Sequence, residues 1–479
     1  MTSVLIQDAT ILTLDSDDRI LAPGYVWIED GAITAVAAGL CRDAGLADRV
    51  IDGTGRLLAP GLVNAHTHSQ SSTMSGFGDR LSHPAFMWLT QAHTSRRTAD
   101  EIRLAVLLNA YGMLTSGTTA AIDHFPGQRF TGEDMQAVLS AWQETGMRIA
   151  LGMRFFDGEF SDIFPSTPLP DLLRERMMQT QVLKPQGVSE LRELMTETIR
   201  RWHGRDGRLS VYPGPSNPDR CSDEALLLCA ELADQFDTGI HTHLLETQRQ
   251  AQLAQQRYGE TAVQHLERLG VFSSRWSCAH SIWLADNDIA CMAERGAVAV
   301  LNPESNSRLG TGVARVPEMQ RTGVTLALGT DGASANDNLV VHEAMRAIAT
   351  MHRPGERDRS RWVSARDALH MATAGGAAAL RHPHLGAVAP GYAADLVLYC
   401  LDAPWWVPVN DLVNQLVFAE TGKSVETVLV AGEVVVQNGC PTRFDVDALV
   451  REVNAMTASL RTRNEDLFAV AGEIAELVP

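Results

Sequence analysis

Leu57-Leu58-Ala59-Pro60-Gly61-Leu62-Val63-Asn64-Ala65-His66-Thr67-His68 is an apolar run that ends in two histidines one residue apart. On a strand alternate side chains share a face, so His66 and His68 point together and make a two-nitrogen clamp for a metal ion. Chance alone also produces such pairs, as two core or two surface histidines. The rest of the chain decides between these readings.

Upstream, residues 3–58 read as short strands separated by turns, with Asp30-Gly31 as a tight-turn signal, which predicts a small antiparallel β unit. Strand-like runs return at residues 394–399, 425–430 and 433–436, with Ala431-Gly432 and Asn438-Gly439 as turns. Two β pieces flanking a long middle predict one discontinuous domain, residues 1–58 plus 386–445. In the middle, residues 59–385, short apolar runs alternate with helical periodicity, the pattern of βα units on a parallel sheet. Strands are expected at 61–66, 118–123, 148–153, 209–213, 238–243, 276–279, 297–301 and 325–329, the count that a (β/α)8 barrel needs. Helices are expected at 99–114, 133–145, 189–203, 222–235, 262–269 and 364–380, and a helical extension at 446–479.

Composition narrows the function classes. A chain of 479 residues with 45% hydrophobic side chains can bury a large core. Its formal net charge of -18 argues against nucleic acid or an anionic membrane surface as partner, since both require basic patches. Seven scattered cysteines, with no Cys-x-x-Cys, indicate neither a disulfide framework nor a cysteine zinc site, and they suit a reducing cytoplasm. No run approaches the roughly 18 apolar residues of a membrane span, and no secretory leader is recognised.

Further chemical residues fall where barrel strands would hand over to their loops. His243 ends strand five, with Glu246 just beyond it; His280 ends strand six; Asp331 follows strand eight. A barrel gathers these strand ends on one face. A lone His or Asp at a strand end is more often a satisfied turn residue than a ligand, so the argument rests on the set. By alternation His241 faces the interior too and rivals His243 as a ligand.

The set resembles the aminohydrolase branch of the amidohydrolase superfamily, which includes cytosine, guanine, methylthioadenosine and S-adenosylhomocysteine deaminases and triazine hydrolases. The matching stretches are 60–68, His243-Leu244-Leu245-Glu246, residues 302–310, Gly329-Thr330-Asp331-Gly332 and residues 385–398, and the likeness runs from about residue 4 to 440. It departs at Leu301-Asn302, where many relatives carry a histidine. The resemblance implies a (β/α)8 TIM-like barrel with a small β-sandwich built from both chain ends, and one divalent ion on His66, His68, His243 and Asp331. Zinc is preferred for a nitrogen-rich set with one carboxylate, and ferrous iron accepts the same ligands. No lysine on strand four offers a carbamate bridge to a second metal.

In the implied reaction a metal-activated hydroxide attacks an amino-substituted ring carbon of a small heterocycle (purine, pterin, pyrimidine or triazine) and ammonia leaves. Glu246 shuttles protons, His280 stabilises charge or orients the hydroxide, and Asp331 accepts a proton. The spacing to Glu246 then favours His243 over His241. Gln70, Trp88 and Asn306 are the expected substrate contacts, with Phe86 and Trp88 placed to stack on a ring in the long loop after strand one; loops 155–170 and 214–217 complete the rim. Competing readings are cleavage of another C–N or C–Cl bond, as in triazine dechlorination or amide or urea hydrolysis, and a catalytically silent scaffold. Analogy with relatives also suggests a homo-oligomer.

Overall fold

The computed structural model describes residues 3–477 apart from 127–128, 159–163, 165–167, 181 and 183. Both ends of the chain contribute to one nine-stranded sheet. Its path runs from Cys440–Pro441 through Glu433–Gln437, Val425–Val430, Leu396–Cys400, Arg56–Pro60, Ser3–Leu12 and Ile20–Glu29 to Ala32–Ala38, with Arg49–Asp52 added beside Ser3–Leu12. The halves meet where Arg56–Pro60 lies antiparallel to Leu396–Cys400, with Leu58 opposite Leu398. Ile6, Ile11, Val26, Leu58, Leu396 and Leu429 share one apolar cluster, so the two ends are held by a common core. The sheet is mixed rather than purely antiparallel. Arg49–Asp52 and Arg56–Pro60 both run parallel to Ser3–Leu12, because the chain makes a full return before pairing with its first strand.

The middle of the chain is TIM-barrel-like α/β. Two four-stranded parallel sheets carry the strands Leu62–Thr67, Thr118–Pro126, Arg148–Phe155 and Leu209–Pro215, then Ile240–Leu244, Trp276–His280, Val298–Leu301 and Thr325–Leu328. These are strands one to eight below, and helices intervene between most of them. Hydrogen bonds join the sheets at their C-terminal ends: His243 N–H donates to Ser216 O at 3.1 Å and Asp331 N–H to His66 O at 2.9 Å.

The helix expected at 364–380 is broken into Ala365–His370, a π-helical turn at Met371–Gly375 and Gly376–Ala379. The reason is close packing on the sheet, since a Cβ on Gly376 would lie 2.5 Å from Val63 Cβ. The loop after strand one contains a helix, His83–Thr94, that periodicity did not reveal. The C-terminal stretch forms two helices, Val446–Arg463 and Glu465–Leu477. The second is not a surface appendage: Leu467, Val470, Ala471 and Ile474 are buried in one cluster with Ala85, Trp88 and Ala92 of the loop-one helix. Asn464 seals the join by donating to Ala92 O and Ser95 O, both at 2.9 Å.

Candidate metal centre and pocket

At the C-terminal ends of the strands His66, His68, His243, His280 and Asp331 converge, and all are buried. Strand one delivers His66, with His68 just past its end, strand five His243, strand six His280, and the turn after strand eight Asp331. His280 and Asp331 take left-handed backbone conformations, at φ 70° and 62°. Such geometry is uncommon for residues with a Cβ and persists only where the surroundings enforce it.

Hydrogen bonds fix where the imidazole protons sit. Ser277 donates its hydroxyl hydrogen to Ile240 O at 3.3 Å and so accepts from His241 Nδ1 at 2.7 Å. His241 Nε2 is then the acceptor for His66 Nδ1–H at 2.8 Å, which leaves His66 Nε2 as a buried lone pair with no partner. His68 Nδ1–H donates to His124 O at 2.7 Å and His243 Nδ1–H to Ser216 O at 2.8 Å. Their Nε2 lone pairs therefore face each other at 3.1 Å with no proton between them. Asp331 Oδ1 stands 3.6 Å from His66 Nε2 and 3.3 Å from His68 Nε2. Three converging lone pairs and a carboxylate oxygen in a buried space are a donor set that only a cation satisfies.

Burial, the largest cause, together with the crowding of other imidazoles and, for His68 and His243, the Arg154 guanidinium, holds His66 and His243 well below the ordinary histidine range and His68 at about 4. The rings are thus neutral, as ligands must be. His66, His124 and His241 form another close trio. Because the His66 and His241 nitrogens already share a hydrogen bond, that trio is an orienting layer rather than a second cation site. His241, pushed down to about 3 by burial, occupies this layer behind His66.

Asp331 is itself fixed, its Oδ2 accepting from Ser305 Oγ at 2.7 Å and its Oδ1 from Gly332 N–H at 2.7 Å. Glu246 comes back toward the centre because Leu245 turns through the left-handed region at φ 49°. Its Oε2 is 4.0 Å from His280 Nε2. Both line a pocket over the centre that is also bounded by Gln70, whose buried Oε1 has no hydrogen-bond partner, and by Phe86 and Met87.

Two expected substrate contacts lie elsewhere. Trp88 is fully buried against the C-terminal helix and does not line the pocket. Residues 86 and 88 were read as neighbours on a loop, but on a helix a spacing of two puts them on opposite faces. Asn306 sits behind His280, its Oδ1 accepting from Nδ1–H at 2.9 Å, and is not on the pocket wall. The sequence reading missed His124 beside the orienting layer, and also Arg154 and Arg220 on the pocket wall. His124 and Arg154 both lie near the ends of barrel strands, which was the available signal; Arg220 lies in the turn after strand four and had none.

Parallel strands whose C-terminal ends gather histidines and one aspartate around a shared point make a candidate metal centre on a TIM-barrel-like α/β scaffold. The chain belongs to the amidohydrolase family, whose model matches residues 57–435. It is 35% identical over 454 residues to a 5-methylthioadenosine/S-adenosylhomocysteine deaminase of Nitratidesulfovibrio vulgaris, covering 94% of this chain and 96% of that one. Among solved structures it is similar to an adenosine deaminase from Xanthomonas campestris with bound zinc, at TM-score 0.84 and 26% identity over 96% of this chain and 99% of the other. An atrazine chlorohydrolase from Arthrobacter aurescens complexed with zinc is as similar, at TM-score 0.84 and 26% identity over 95% and 100%.

Proposed function

We propose that this chain is a metal-dependent hydrolytic deaminase of an amino-substituted nitrogen heterocycle. The observation that carries the reading is the set of unprotonated nitrogens of His66, His68 and His243 beside Asp331, with Glu246 on the pocket wall above them. These four ligands would hold one divalent ion, with zinc favoured by the nitrogen-rich set and by the zinc-bound relatives. When bound, the ion supplies Lewis acidity and an activated water nucleophile near neutral pH.

The chain's own residues do the rest. Glu246 moves a proton to a ring nitrogen and then to the departing amine, a transfer that its place on the pocket wall permits. His280, oriented by Asn306, faces the same space through Nε2 and stabilises developing charge. Asp331 receives the nucleophile's proton, its carboxylate held by Ser305 and Gly332. Gln70 contacts the ring, and the helix carrying Phe86 and Met87 keeps bulk water from it.

The reading includes a closed (β/α)8 barrel over residues 59–385, a β-sandwich domain from residues 1–58 plus 386–445, and a helical extension at 446–479. It is supported by the hydrogen-bonded junctions of the two parallel sheets and by the sheet that both chain ends share. A cytoplasmic setting agrees with seven free cysteines, and homo-oligomerisation follows relatives by analogy. No helix among the described residues is long and apolar enough to cross a membrane.

The test is ammonia release by zinc-loaded protein across purines, pterins, pyrimidines and triazines. Glu246→Gln should lower it by about 10²- to 10⁴-fold while metal stays bound. A second reading, C–Cl hydrolysis of a chlorotriazine, is favoured by the similarity to the atrazine chlorohydrolase. Chloride without ammonia would select it.

A further inference from the structure

The chemistry above leaves one buried acid without a task. Asp123 lies near the end of strand two, immediately before His124, and is wholly shielded from solvent. A carboxyl group in such a place is costly unless it is hydrogen-bonded. Three donors meet this one: Ser69 N–H on Oδ1 at 2.9 Å, then Ser69 Oγ–H and Trp142 Nε1–H on Oδ2 at 2.6 and 2.8 Å.

The contacts fall where the strand ladder loses its register. Asn64 pairs with Ala121 but Thr67 with Asp123, so strand one holds one residue more than strand two across Ala65 and His66. An extra residue bends a strand and re-aims its side chains, and ladder hydrogen bonds alone then do not set the residue that follows. That residue is His68. Its peptide link to Ser69 is pinned from both sides: His68 O accepts from Ser71 N–H at 3.0 Å and from Ser71 Oγ–H at 2.9 Å, and Ser69 N–H donates to Asp123. Its ring is pinned separately, by Nδ1–H donation to His124 O at 2.7 Å. Two consecutive residues of strand two thus hold His68, one by its ring and the other by its backbone. Trp142, fully buried on helix Gly132–Thr145, braces the carboxylate from the far side.

We propose that Asp123 is a positioning residue: by holding the Ser69 peptide it fixes the direction from which the His68 ring enters the donor set. The proposal rests on the metal-centre reading. Asp123 acts through Ser69 and touches neither metal nor substrate. A group that merely tied strand two to helix Gly132–Thr145 would govern stability alone. A group that aims His68 governs metal affinity and ligand geometry as well.

The experiment titrates metal-free protein with cobalt(II), which accepts nitrogen and carboxylate ligands and whose visible absorption reports their geometry. Chelator competition gives the affinity, and urea unfolding of the metal-free protein gives the stability. In Asp123→Asn the amide nitrogen faces two donors, the Ser69 hydroxyl, which can turn, and the Trp142 indole, which cannot. Cobalt affinity should fall about 10- to 100-fold, with a changed absorption spectrum. Combining Asp123→Asn with Trp142→Phe removes the conflicting donor and should recover at least about threefold of that loss, although the protein is less stable. Trp142→Phe alone should lower stability and leave cobalt affinity within about threefold of wild type. Ser69→Ala, the mildest change, should weaken affinity about 3- to 10-fold and decides the matter if Asp123→Asn does not fold. Wild-type affinity and spectrum in Asp123→Asn or in Ser69→Ala overturn the clamp. So does an equal loss in Trp142→Phe, or a double variant no tighter than Asp123→Asn. A wild-type chain that binds no cobalt sinks the metal centre and the clamp together.

Discussion

The two sides of the pocket are made in different ways. On the side of the proposed metal ligands, each side chain sits at or near the C-terminal end of a strand of the parallel sheets, and its orientation is fixed by neighbouring backbone: His124 O and Ser216 O hold the rings of His68 and His243, and Gly332 N–H holds Asp331. The lid side is one helix, His83–Thr94, kept in place by packing against Glu465–Leu477, several hundred residues later in the chain. Directed hydrogen bonds set atoms to a fraction of an ångström; apolar contact sets a surface. The first side suits bond-making, the second the shape of what is admitted.

If this division is right, damage on the two sides should differ in kind as well as size. The largest effect is expected from His66→Ala, which removes one lone pair of the donor set. Metal content should drop well below one ion per chain and turnover by at least about 10³-fold, both readable by elemental analysis and ammonia assay. His241→Ala leaves the ligands intact but frees the His66 ring, so metal affinity should weaken by about 10- to 100-fold in a chelator competition. Retention of full affinity would show that the orienting layer contributes nothing.

Acid should expose the same side in metal-stripped protein. His68 is held at about 4 and His241 at about 3, in each case chiefly by burial, against about 6.5 for a histidine in the unfolded chain. The unfolded state then takes up protons first, so stability present above about pH 6.5 should be lost as the pH falls toward 4, seen as a falling urea midpoint. The zinc-loaded protein should resist until the ligands release the metal.

The smallest effect on chemistry belongs to the lid. Trp88→Ala empties a fully buried site and should cost about 3–5 kcal/mol of stability. It should raise KM more than it lowers kcat, and leave metal content unchanged. A matching loss of metal would erase the distinction between the two sides.

The sequence reading tracked this same division. Strands one, five, six and eight and their terminal residues were legible because alternation on a strand and convergence at barrel ends are regular rules, and so His66, His68, His243, His280 and Asp331 were found to lie together. Trp88 and Asn306 were misplaced because their facing depends on local helices, His83–Thr94 and Pro303–Arg308, that short apolar patterns do not announce. Arg154 and Arg220 were passed over because nothing in their immediate neighbours marks a buried guanidinium. In the fold both reach the hydroxyl of Ser216. The docking of helix Glu465–Leu477 was not legible because its partner face lies more than 350 residues upstream.

That last helix also sets an order of events. During synthesis every barrel strand has left the ribosome before Glu465–Leu477 emerges, so the metal-side half can assemble while the loop-one helix still lacks the surface that holds it. A nascent chain would therefore acquire its metal site before it acquires a closed wall. Competence to discriminate among small molecules would be one of the last properties the growing polypeptide gains.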